Sequence, residues 1–205
     1  MTLLQLNASI FSADGQSTRL AEEFVARVRA QSPGTRLIVR DLARHPVPHL
    51  SAERFQAFLA KTESRSAEQH AVVSYSDSLI EELKRADTIV LGLPMYNFGI
   101  PSGLKAYFDH VARAGVTFRY TEQGSVGLLT GKKAYVFAAR GGRYAGTPRD
   151  TQTIYIRDML GFLGIEDVEF IYAEGLAISE ASKRTGLAQA RDAMARLNVV
   201  EPALA

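Results

Sequence analysis

The 205-residue sequence contains no cysteine. That absence removes a disulfide framework, thiolate metal ligands and a cysteine nucleophile together, so any redox chemistry has to come from a bound cofactor. An excess of one charge is missing too, since 24 basic and 22 acidic side chains leave a formal charge of +2 and are spread along the chain. Without a basic block there is no electrostatic footprint for nucleic acid. No apolar run reaches the length of a membrane span. The N-terminal Met1-Thr-Leu-Leu-Gln-Leu6 has neither a basic region nor a long apolar one, and reads as a strand and not as a signal peptide. A cytoplasmic protein is therefore expected, in which Asn7-Ala-Ser9 has no meaning as a glycosylation acceptor. With 46% hydrophobic and 22% charged residues the composition is that of an ordinary globular protein. The length suits a single α/β domain over residues 1–205, with a full core, better than two domains.

What is present is a repeated alternation of short apolar runs and amphipathic stretches. Strands are expected at Leu3–Ala8, Thr35–Asp41, Asp87–Leu93, Lys133–Ala139 and Val168–Tyr172. The one at 87–93 reads as buried, because a β-branched run too continuous to alternate is typical of a parallel sheet covered on both faces, and the one at 35–41 is expected to be a second buried strand. Helices are expected from Ser17 to about Ala30, around Ala52–Lys61, over Ala67–Arg85, from Pro101-Ser102 onward, over Thr151–Gly164 and from Ser179 to about Val199. The first carries Leu20, Ala21, Phe24, Val25 and Val28 on one stripe, and the third carries Leu79, Ile80 and Leu83. Residues Val116–Tyr120 and Gly124–Gly131 read as a loop-rich excursion. This order gives a doubly wound five-stranded parallel sheet with helices on both faces, and right-handed crossovers give the strand order 2-1-3-4-5. The loops after strands one, three and four then surround one cleft.

Each of those loops has a feature. The first, Ser9–Ser17, joins a strand to a helix start, where free N–H groups and the helix dipole favour an anion; it is not a dinucleotide fingerprint, for it lacks GxGxxG, and Ser17 can equally be read as an ordinary N-cap. The second, Met95-Tyr96-Asn97-Phe98-Gly99, follows Pro94 and is apolar and aromatic where turn residues belong. It suits a flat ligand with polar edges, or else tucks core side chains under a tight connection. The third, Arg140-Gly-Gly-Arg-Tyr144, has two glycines that let backbone approach a ligand. Two other candidates fail. Gly127–Lys133 is one residue short of a nucleotide-phosphate loop and has Lys133 where Ser or Thr must reach magnesium. His45-Pro-Val-Pro-His49 has no third ligand in a regular arrangement for a metal.

Pro94-Met-Tyr-Asn-Phe98, Leu104-Lys105 and Asp109–Tyr120 resemble the flavin-binding segment of the FMN-dependent NADH-azoreductases, which are also NADH:quinone oxidoreductases with a flavodoxin-like fold. The likeness extends over nearly the whole chain, least in the polar stretch from about His45 to His70. It implies one tightly bound FMN per subunit, reduction by NADH or NADPH, and two-electron transfer to quinones or azo compounds in a ping-pong cycle, with the flavin and no side chain carrying the redox step. By the same resemblance Ser9, Gly15, Gln16 and Ser17 hold the phosphate, Pro94–Phe98 (Pro94, Met95, Tyr96, Asn97, Phe98) lie along the isoalloxazine ring, and Ala139, Arg140, Gly141 and Gly142 meet its pyrimidine edge. Gly15, Ala139 and Tyr144 depart from the family's usual Ser, Ser and His. Tyr120, Tyr144 and Phe162 are candidate walls of the acceptor pocket, or plain packing residues. A homodimer is expected, because Tyr155, Met159 and Phe162 form one stripe on the 151–164 helix and Ile156, Leu160 and Leu163 the next, an apolar arc wider than one sheet covers. A one-electron carrier like flavodoxin and a non-catalytic scaffold are the alternatives; carriers of that kind are typically shorter and strongly acidic.

Overall fold

A computed structural model describes residues 1–197. Five parallel strands form the sheet: β1 (Thr2–Asn7), β2 (Arg36–Asp41), β3 (Thr88–Pro94), β6 (Lys133–Ala139) and β7 (Asp167–Ala173). Their order is β2-β1-β3-β6-β7, the expected 2-1-3-4-5 arrangement. Between β3 and β6 in the chain, β4 (Phe118–Thr121) and β5 (Gly124–Gly127) pair antiparallel as a separate hairpin. The segment read as loop-rich is thus partly a two-stranded ribbon; each strand has four residues, too short for period-two patterning to register.

The apolar strand runs do alternate once the two sides are resolved. Leu4, Leu6, Ile89, Leu91, Leu93, Ala134 and Val136 face one core, and Leu3, Val90, Tyr135 and Phe137 face the other. Both faces are covered, and in β3 no position after Thr88 is polar and every one is buried. On the first face lie α3 (Ala67–Arg85), α4 (Ser102–Val111) and α5 (Thr151–Leu163); on the second lie α1 (Gln16–Gln31) and α6 (Glu180–Ala195). Full burial holds for β3 but not for β2, which was expected to be buried: only Asp41 is buried there, and Val39 is 54% exposed. The reason is topological, because β2 pairs on one side only. The last helix is capped by Ser179 and ends at Ala195 with Arg196 as its C-cap, short of the expected end at about Val199; residues 198 and 199 lie outside the described ones.

The 45–70 stretch builds α2 (Ala52–Leu59), capped by Ser51, and the approach to α3, whose start is a capping box of Ser66 and Gln69. His45 and His49 are exposed. Lys132 donates to the Lys84 and Ala86 carbonyls at the end of α3, at the amino edge of the sheet. The would-be phosphate loop therefore closes a helix. Among the described residues no helix is long and apolar enough to cross a membrane.

The register aligns the carboxyl ends, with Asn7 beside both Asp41 and Gly92, and Pro94 beside Ala139, which faces Ala173. Residues 8, 95 and 140 leave the sheet together, which brings the three expected loops to one edge.

Candidate functional site

Among the described residues, two of the α-helix starts have no side-chain cap. Side chains cap α2, α3, α5 and α6 (Ser51, Ser66, Asp150 and Ser179), whereas α1 and α4 have no side-chain cap. At α1 the N-cap is Gly15 and the first turn is Gln16, Ser17 and Thr18, so the reading of Ser17 as N-cap is corrected by two positions. The N–H groups of these three residues have no acceptor among the described residues. The Ser17 and Thr18 hydroxyls are buried and unpartnered as well. Unmade hydrogen bonds of this kind are costly unless a ligand makes them, and at a helix N-terminus the ligand of choice is an anion.

Upstream, Ser9 is buried and its Oγ accepts from Phe11 N at 3.2 Å and lies 3.4 Å from Tyr96 Oη. The first and second loops thus touch through a serine and a tyrosine. Gly15 has ordinary extended angles (φ −69°, ψ 133°), so its backbone does not call for glycine. A Cβ there would sit 2.2 Å from Ser9 Oγ and 2.5 Å from Ser9 Cβ. In this arrangement of the loop, space is what excludes a side chain. Ser12, at φ 50°, donates to Asp41 at 2.5 Å, and Asp41 also accepts from Ala43 and Arg44 N–H. The end of β2 therefore braces the loop after β1.

In the second loop Tyr96 and Gly99 exchange both backbone hydrogen bonds (3.1 and 2.9 Å), with Asn97 at φ 50° and Phe98 at φ 64° between them. Two consecutive left-handed residues make a tight hairpin turn. Asn tolerates this conformation; Phe does so at a cost of roughly 1–2 kcal/mol. The turn presents Phe98 to solvent at 51% exposure, with Asn97 exposed and Met95 and Tyr96 half-buried, so Phe98 is no tucked core residue. Its ring stands edge-on to Tyr144 at 5.7 Å.

The third loop is organised by Arg140, the largest fully buried side chain. Its guanidinium donates to Asp150 (2.8 Å), Glu174 (3.2 Å), Gln152 (3.3 Å) and Thr153 (3.0 Å), and stacks over Tyr172 at 4.8 Å. Burial alone would raise the Asp150 carboxyl, but hydrogen bonds from Arg140 and Thr153 outweigh it and hold the group below its ordinary value. The Arg140 N–H is taken by Ala173. A role for this residue at the ring edge is therefore confined to placing its neighbours: Gly141 and Gly142 give their carbonyls to Ala177 and Gly175, while their N–H groups have no acceptor among the described residues. Gly142 lies under the Tyr144 ring, where a Cβ would come within 2.6 Å of Cζ. Pro94 and Ala139 are the buried last residues of β3 and β6.

The three acceptor-pocket candidates divide. Tyr120 (75% exposed) and half-buried Phe162 flank Phe118 at 5.4 and 4.2 Å, while Tyr144 packs on Phe98. No ring contact joins the two groups among the described residues. Residues that sequence reasoning missed are the supports: Asp41, Asp150, Gln152 and Glu174. One signal was available, for Gln152, Ile156 and Leu160 recur every four residues on the buried stripe of α5, and a polar residue on such a stripe has a specific partner.

Residues 1–197 match the family described as flavodoxin-like fold, and the chain belongs to that family. Within it, the chain is 58% identical over 179 residues to the FMN-dependent NADH:quinone oxidoreductase of Cellvibrio japonicus, covering 87% of this chain and 90% of that protein. It is 53% identical over 194 residues to FMN-dependent NADH:quinone oxidoreductase 6 of Burkholderia lata, covering 95% and 98%. Among solved structures, the FMN-dependent NADH-azoreductase of Bacillus anthracis in complex with FMN superposes with a TM-score of 0.84 at 28% identity, covering 96% and 99%.

Proposed function

We propose that this chain is a cytoplasmic, homodimeric FMN-dependent oxidoreductase that takes two electrons from NADH or NADPH and passes them to quinones and azo compounds in a ping-pong cycle. One observation carries the reading: the unpartnered N–H groups and hydroxyls at the start of α1 lie beside the aromatic 95–99 turn, at the switch point between β1 and β3 where doubly wound sheets bind ligands. The names of the relatives say what that ligand is for them.

FMN, when bound, supplies the two-electron chemistry itself. The residues have three tasks. Ser9, Gly15, Gln16 and Ser17 form the phosphate cradle, where each hydrogen bond to a charged acceptor contributes about 1.5–3 kcal/mol. Pro94–Phe98 line the ring. Ala139–Gly142 end in two N–H donors for its pyrimidine edge, where fixed dipoles favour the negative charge of the reduced state. The sheet edge would cover one face of a bound ring and leave the other for donor and acceptor in turn. Phe162 of α5, with Tyr120, walls that face for the neighbouring subunit, which suits their separation from Tyr144 within one chain.

Acid extraction and chromatography of the purified protein should yield FMN, and the yellow protein should oxidise NADH steadily with a soluble quinone. FAD as the main flavin would overturn the phosphate-loop assignment. Flavin-loaded protein that does not turn over would return the chain to a one-electron carrier, and protein without flavin to a scaffold.

A further inference from the structure

We propose that Gln152 is a positioning residue that locks the 95–99 turn to the 140–144 loop in one relative placement. It rests on the FMN reading above and names the device that keeps two flavin loops in register. Gln152 sits in the first turn of α5 and is 1% exposed. Its Nε2 donates to Pro94 O at 2.8 Å and to Gly99 O at 3.2 Å, the two ends of the aromatic turn. Its Oε1 accepts from Arg140 Nε at 3.3 Å.

An amide has two faces of opposite character, and a side chain free to flip would offer the carbonyls an oxygen half the time. Arg140 removes that freedom, because a guanidinium has donors only and accepts nothing. Arg140 is itself fixed by Asp150 and Glu174, and Glu174 also receives Tyr144 and Ala145 N–H at 2.8 and 2.9 Å. One chain of hydrogen bonds thus runs from the 140–145 loop through Arg140 and Gln152 to the turn that carries Phe98. Thr151 adds a second strut by donating to Phe98 O. The turn needs such support, since Phe98 is strained in its left-handed conformation and 51% exposed.

The test uses the flavin-loaded protein and its apoprotein. Gln152→Met keeps size and loses both donors; Gln152→Glu turns the group facing the two carbonyls into an acceptor; Thr151→Val, at an exposed position, removes only the strut and protects against variants that fail to fold. FMN affinity of the apoprotein should fall about ten- to a hundredfold for both Gln152 variants and severalfold for Thr151→Val. The midpoint potential of bound FMN should shift in all three, and KM for the quinone should rise more than kcat falls. A structural role alone would lower the melting temperature and leave potential and KM unchanged, and that result overturns the proposal. Wild-type protein that binds no FMN overturns the functional reading and the bridge with it, whereas wild type that binds and variants that bind equally well overturn the bridge alone.

Discussion

The fit between Gly15 and Ser9 can be broken and repaired. In Gly15→Ala the added methyl would lie 2.2 Å from Ser9 Oγ and 2.5 Å from Ser9 Cβ, both below any real contact, and 3.3 Å from Ser12 O. Rotating the hydroxyl relieves the first overlap and not the second, because Cβ is fixed to the backbone. The loop after β1 must therefore shift. Overpacking of this kind costs about 1–3 kcal/mol. Backbone preference does not contribute, since Gly15 already has angles that alanine adopts. Ser9→Gly removes the atoms in the way, but also the Oγ that accepts from Phe11 N and meets Tyr96 Oη, a loss of about 0.5–1.5 kcal/mol per bond. In the double variant the overlap is gone. Its cost should fall below the sum of the singles by about 0.5–3 kcal/mol, the range for residues in contact. Urea unfolding of the apoprotein measures the stabilities, and fluorescence titration with FMN gives the binding counterpart; Gly15→Ala should weaken FMN by tenfold or more, and Ser9→Gly/Gly15→Ala by less than the product of the two single effects. Additive costs, or a Gly15→Ala protein that unfolds and binds like the wild type, would refute the steric account.

Arg140→Met should destabilise the fold by about 3–5 kcal/mol in urea titrations, because it leaves Asp150 and Glu174 largely buried without their cation; a loss below 1 kcal/mol would mean the carboxylates reach water instead. His110 is buried, with Nδ1 against Ala106 O and an unpartnered Nε2; burial first of all holds its pKa below the ordinary value. A neutral buried imidazole carries no penalty above the unfolded value of about 6.5, and an increasing one as pH falls below it, because the unfolded chain then binds the proton first. Melting temperature should accordingly fall from pH 7 to 5 more in the wild type than in His110→Phe, and parallel profiles would exclude His110 as a source. Ile154 is 65% exposed on α5, whose Tyr155, Met159 and Phe162 are only partly covered by their own chain; Ile154→Glu should shift light scattering toward the monomer and lower quinone turnover together, and an unchanged dimer would move the interface elsewhere.

Most of the fold was legible because its physics is local or periodic. Continuous apolar runs specify strands covered on both faces, Leu20, Phe24 and Val28 specify the buried side of α1, and right-handed crossover leaves few sheet orders to choose from. The sequence alone therefore determined five parallel strands, their order and the edge at which the three loops meet. What it left to the tertiary structure has one cause, namely that the partner is distant in sequence. Thr35–Asp41 and Asp87–Leu93 each hold an apolar run of three residues or more, yet β3 has a neighbour on either side and β2 on one, so only β3 is buried throughout. Gly15 reads as a weakened serine until Ser9, six residues away, is seen to fill its space. Arg140 reads as a ligand donor at the end of a strand, and only the convergence of Asp150, Gln152 and Glu174 turns its side chain inward. Periodicity reports which face of an element is apolar. Which polar group a buried cation or amide meets depends on loops that come together only when the sheet closes, and those pairings decide how the site is held.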